Sequence, residues 1–93
     1  MPQVFRIGAY VVYFWSDEND PLEPIHVHVT EGKPQKDGTK IWITKSGKTL
    51  LAHNHSNIPE KDLRNIRRVI ESNVKLVINK WTEHFEGEIR FYC

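Results

Sequence analysis

Residues 23–29 read EPIHVHV, with two histidines spaced two positions apart between valines. In an extended chain successive side chains alternate faces, so the imidazoles of His26 and His28 point one way while Val27 and Val29 point the other. Two imidazoles that titrate near neutrality suit the acid and base of phosphodiester cleavage, the chemistry of metal-independent ribonucleases. His26 and His28 are therefore the candidate catalytic residues, with Lys40 or Lys48 on neighbouring strands as candidates for holding the phosphate. The same spacing suits a divalent zinc, nickel or copper ion, which needs a third ligand from elsewhere. A second spaced pair, His53 and His55 in AHNHS, would make four converging imidazoles if the third and fifth strands lay side by side. Asp17, Asp20 or Glu23 would instead complete a smaller site with the first pair. There is no H-E-x-x-H pair and no cysteine at zinc-finger spacing. The competing reading is of histidines hydrogen-bonded within a sheet, and no cofactor other than a divalent metal is expected.

A second candidate is electrostatic. Lys33, Lys36, Lys40, Lys45 and Lys48 surround Trp42, and a basic hairpin carrying an aromatic ring suits backbone phosphates plus a stacked base of RNA or DNA. The same lysines are also ordinary for exposed hairpins, with Trp42 turned toward a helix. Two other strings carry little. KSGKT at 45–49 lacks the glycine that a phosphate-binding loop needs five positions before Gly47, where Trp42 stands. The letters HNH at 53–55 are too close together to form the unit of the nucleases so named.

The elements that must position these residues follow from periodicity. VFRIGAYVVYFW reads as two strands around Gly8-Ala9, because glycine supplies the positive φ of a tight hairpin turn. In that register Phe5, Ile7, Tyr10, Val12 and Phe14 form the core face. Val4, Arg6, Val11, Tyr13 and Trp15 form a second face too apolar to be fully wet, to be covered by another element or by a second subunit in a homodimer. SDENDPLEP is a loop, IHVHVTE a third strand, TKIWIT a fourth and TLLAHN a short fifth. From Pro59 the period becomes helical. Leu63, Ile66, Ile70, Val74, Val77, Trp81 and Phe85 fall within an arc of about 100°, with Lys61, Arg64, Arg68 and Lys75 opposite. Asn57 and Glu60 read as a capping pair and Gly87 as a left-handed stop, which gives one helix over roughly 57–86. The expected fold is α+β: an antiparallel sheet of four to five strands against one long C-terminal amphipathic helix. It forms a single domain over 1–93 with its core in 3–86, and residues 87–93 are a possible edge strand.

Ninety-three residues allow one domain, and a net charge of +1 gives no argument for a polyanionic partner by itself. Its distribution is polarised. Asp17, Glu18, Asp20, Glu23 and Glu31 precede the lysine-rich hairpin, where Asp37 is the one acid. One cysteine, Cys93, excludes an internal disulfide, and no apolar run is long enough for export or membrane spanning, so a cytoplasmic protein is expected.

VFRIGAY…FW, EP.HVHV, the K.W of the fourth strand and a helix ending in W..HF together resemble a small uncharacterised bacterial family, classed as a domain of unknown function, whose hallmark is EPPHVHV. The resemblance spans about residues 3–86. Glu23, Pro24, His26, Val27, His28, Val29 and Trp42 match, while Ile25 replaces the second proline. EIRFYC lies outside it, and His53 and His55 are not part of the pattern. The resemblance implies a member of a toxin-antitoxin-like gene pair, with a partner protein from a neighbouring gene, and it implies that any shared site is carried by His26 and His28.

Overall fold

The computed structural model describes residues 3–16 and 22–93. Five strands, β1 (Gln3–Ile7), β2 (Tyr10–Tyr13), β3 (His26–Glu31), β4 (Thr39–Ile43) and β5 (Thr49–His53), precede two helices, α1 (Glu60–Ser72) and α2 (Val74–His84). The strands form one antiparallel sheet in the order β1-β2-β3-β4-β5, so each strand pairs with its sequence neighbour. Gly8, at φ 57, makes the first turn as glycine must. The fold is α+β, and both helices feed one apolar cluster in which Val12, Val27, Val29, Ile41 and Ile43 of the sheet meet Leu63, Ile66, Ile70, Val77, Trp81 and Phe85.

The expected single helix is two. The apolar spacing runs unbroken through residue 73, but Asn73 has φ −121, and its side-chain amide donates to Val69 O at 2.8 Å. A side chain that hydrogen-bonds a carbonyl of the preceding turn competes with the helical ladder. The break lets α1 pack on β5 while α2 packs on β1. The expected capping pair also fails to form. Pro59 is the N-cap of α1, with no side-chain cap, and Asn57 instead takes a left-handed φ of 54. Asn54 takes over the local polar duty: its carboxamide accepts from Ile58 N at 3.0 Å and donates to Ile58 O at 2.9 Å.

Two irregularities change which side chains face where. Gln3 pairs Tyr13 and Phe5 pairs Val12, so Val4 is an extra residue in β1 and joins the core rather than the second face. Likewise Ile41 pairs Leu51 but Lys40 pairs His53, leaving Ala52 as the extra residue of β5.

The second face of the sheet is covered by the chain itself. Tyr13 is fully buried, and its hydroxyl donates to Gln35 O at 2.5 Å in the β3–β4 connection. Past Phe85, the left-handed Glu86 and Gly87 reverse the chain. Residues 88–93 do not join the sheet as a strand; Ile25 N donates to Arg90 O at 2.8 Å and Lys45 N to Cys93 O at 3.0 Å. Among the described residues, no helix is long and apolar enough to cross a membrane.

The helix layer is tied to β5 through Thr49, whose N–H and hydroxyl both donate to Glu71 Oε2 at 2.9 and 2.7 Å. Arg67 reaches the same residue, with Nε donating to Thr49 Oγ1 and Nη2 to Thr49 O, both at 3.0 Å. The Thr49 bonds, aided by Lys48 and Arg67, hold the Glu71 carboxyl below its ordinary pKa. Glu71→Gln should therefore cost up to about 1 kcal/mol at neutral pH, because solvent screens this carboxyl. A group with a depressed folded pKa stabilises above its unfolded value, and that contribution is lost as pH falls through the folded value. Urea denaturation of both proteins should show the wild-type advantage shrinking below about pH 4.

Candidate functional site

His26 and His28 do share one face of β3, as the two-residue spacing requires. His26 is fully buried and His28 is 7% exposed. His26 Nδ1–H donates to Pro24 O at 2.9 Å and His28 Nδ1–H to Gly38 O at 3.2 Å; a carbonyl only accepts, so the proton of each of these bonds sits on Nδ1. Rings surround the pair. His26 lies 5.1 Å from His28, 5.7 Å from Trp42 and 5.5 Å from Trp81, centroid to centroid, and His28 stacks on Tyr13 at 5.6 Å. This is an aromatic layer inside the fold, closed on one side by the β3–β4 connection. Asp17 and Asp20, proposed partners of the pair, lie outside the described residues. Glu23 is engaged elsewhere, accepting from Lys40 Nζ at 2.6 Å.

Closure of that layer explains Gly38. A Cβ there would run into the Tyr13 hydroxyl and stand 2.7 Å from Thr30 Cγ2.

The five lysines are spread along β4 and its two flanking connections. Lys33 and Lys36 lie in the β3–β4 connection and Lys45 and Lys48 in the β4–β5 turn, at opposite ends of β4, whose five residues span roughly 13 Å. Between them Lys40 is paired with Glu23, and its ammonium stands 4.4 Å from the Trp42 ring centroid. Tyr92 stacks on Trp42 at 4.8 Å and 5°, so the ring expected to receive a base already carries one from its own chain.

The second histidine pair does not meet the first in the expected way, because β4 lies between β3 and β5. Two strand spacings, about 10 Å, separate the backbones at His28 and His53. The bulge at Ala52 nevertheless places His53 opposite Lys40, and hence on the side of the sheet that His28 occupies. There His53 stacks on His55, with centroids 3.6 Å apart and planes at 17°, and His55 Nδ1 meets Asp37 Oδ1 at 3.0 Å. The His55 hydrogen bond lowers the Asp37 pKa, and burial together with the neighbouring His55 lowers that of His53. Asp37 was missed by sequence reasoning, since it lies 16 residues before His53 in a segment read only as a basic hairpin.

A third group of polar side chains lines the outer side of α1. Arg64, Arg67, Arg68 and Glu71 border one concavity, and Leu51, Glu60, Leu63, Arg64 and Arg67 border another that adjoins it beside β5.

Together these features define a small α+β meander domain whose middle strand buries a histidine pair. The chain belongs to the family described as Domain of unknown function (DUF4160), whose profile matches residues 9–82. No curated protein and no solved structure matches it.

If the inner pair is part of the packing, His26→Ala should lower stability by about 2–4 kcal/mol, and Gly38→Ala by about 1–3 kcal/mol. Chemical denaturation monitored by tryptophan fluorescence measures both, and an unchanged midpoint for His26→Ala would contradict the packing role.

Proposed function

We propose that this chain is a cytoplasmic protein-binding domain, one half of a toxin-antitoxin-like or regulatory module, and that it takes its partner along β5 and the arginine face of α1. The observation that carries the reading is the outer edge of β5 beyond Thr49, whose own N–H and C=O are taken by Glu71 and Arg67. That strand pairs with β4 alone, and beside it lies a concavity with apolar walls at Leu51 and Leu63 and cationic ones at Arg64 and Arg67. An edge strand offers unpaired backbone donors and acceptors to an extended segment, while side chains beside it select the sequence. Leu50, 41% exposed on the same strand, adds apolar surface. The fitting occupant is an extended segment with apolar residues and one or more carboxylates, contributed by the product of a neighbouring gene. The gene-pair element of the proposal rests on the family resemblance alone.

A hydrolase centred on His26 and His28 has less support, because both rings are buried and each donates Nδ1–H to a backbone carbonyl. Nucleic acid remains the competing ligand for the arginines, and the test separates the two. Calorimetric titration of the chain with the neighbouring gene product should give a stoichiometric complex. Arg64→Glu/Arg68→Glu, both at exposed positions, should weaken it at least about tenfold. Undiminished affinity in that variant would move the interface elsewhere. Absence of a protein complex, together with salt-sensitive binding of RNA or duplex DNA, would replace the protein partner with nucleic acid.

A further inference from the structure

We propose that Asp37, His53 and His55 form a site for a divalent transition metal, with zinc as the best-suited ion. One ligand atom from each of the three residues lies within 4.8 Å of the other two. Tetrahedral zinc, with bonds of about 2.0–2.1 Å, needs ligand atoms roughly 3.3 Å apart, so the gap closes by side-chain rotation. Rotation is available: the His55 and Asp37 side chains are 54% and 81% exposed. Two imidazoles and one carboxylate suit zinc, copper or nickel and do not suit calcium or magnesium, which prefer all-oxygen shells.

The backbone beneath these side chains is fixed. Asn54 and Ser56, which alternate with the histidines, are both bound to Thr39. Thr39 Oγ1 donates to Asn54 Oδ1 at 2.8 Å and Thr39 N to Ser56 Oγ at 3.1 Å, while Ser56 N donates to Thr39 Oγ1 at 3.1 Å. Thr39 lies two residues from Asp37, so the same three bonds hold both halves of the site together. The bulge at Ala52 supplies the remaining condition by bringing His53 to the side of Lys40. Bulges serve to re-aim a side chain in this way. The positive charge of Lys40 is offset by Glu23 at 2.6 Å, which limits its repulsion of a cation.

Three protein ligands leave at least one coordination position open to water or to a donor from another molecule. The metal would clip the β3–β4 connection to the segment leading into α1.

The test is calorimetric titration of the untagged protein with zinc chloride, in a Cys93→Ser background that removes the exposed thiol. The expected result is one equivalent bound, with affinity reduced at least about 100-fold in His53→Ala/His55→Ala and at least about tenfold in Asp37→Asn. Saturating zinc should also raise the thermal midpoint of the parent and leave that of the double variant unchanged. These side chains are on or near the surface, and circular dichroism will confirm that the variants fold. Absence of zinc binding by the parent, or binding unaffected by the double substitution, overturns the site. Binding unaffected by Asp37→Asn overturns the three-ligand form of it.

Discussion

The constraint on which the rest of the structure depends is that β3 is covered on both faces. His26, Val27, His28, Val29 and Thr30 are all buried. For the valines this is ordinary, since they lie in the cluster under the helices. For the other three it imposes a debt, because a buried polar group left without a partner costs more than a hydrogen bond gains. The β3–β4 connection meets part of that debt: Gly38 O accepts from His28 and Lys33 O accepts from Thr30 Oγ1 at 2.7 Å. It can do so only by lying close against Tyr13, which is why position 38 has no room for a side chain. The same fold-back brings Asp37 beside the end of β5. An exposed cluster and a buried pair are thus two consequences of one loop closing over one strand.

Much of this was legible in the sequence. The strands, their hairpins, the turn at Gly8 and the apolar stripe of the helical region follow from period and turn chemistry. The helix break was not, because Ile70, Val74, Val77 and Trp81 keep a helical spacing across it; the signal lay in Asn73, whose side chain bonds the backbone. Neither bulge leaves a pattern, since an inserted residue is visible only once the partner strand is known. The covering of the second face was anticipated only as some other element or a second subunit. Among the described residues, the hairpin connection and the terminal segment supply such cover, and both act largely through backbone carbonyls, which carry no sequence signature.

The functional residues show the same division. The spacing of each histidine pair says that its rings share a direction, and this holds for both. It does not say what closes over them. His26 and His28 sit on a central strand and are enclosed, whereas His53 and His55 sit where the last strand leaves the sheet and remain accessible. The lysines spread out for a topological reason: in a meander, successive turns fall at opposite ends of the strand they share, so Lys33 and Lys36 lie at one end of β4 and Lys45 and Lys48 at the other.

Burial separates the two pairs chemically as well. A ligand or general base must expose a lone pair to its metal or substrate, and an enclosed ring can do so only if the structure opens. Opening at β3 would disturb the strand on which both layers rest, including the valines under the helices and the contacts of Tyr13 and Gly38. His53 and His55 carry no such burden. Their backbone is held by Thr39 through Asn54 and Ser56, while their rings stack on each other outside the apolar cluster. Side-chain motion therefore costs less at the outer pair than at the inner one. The inner pair lies buried in the middle of the sheet, each ring bound through Nδ1 to a backbone carbonyl.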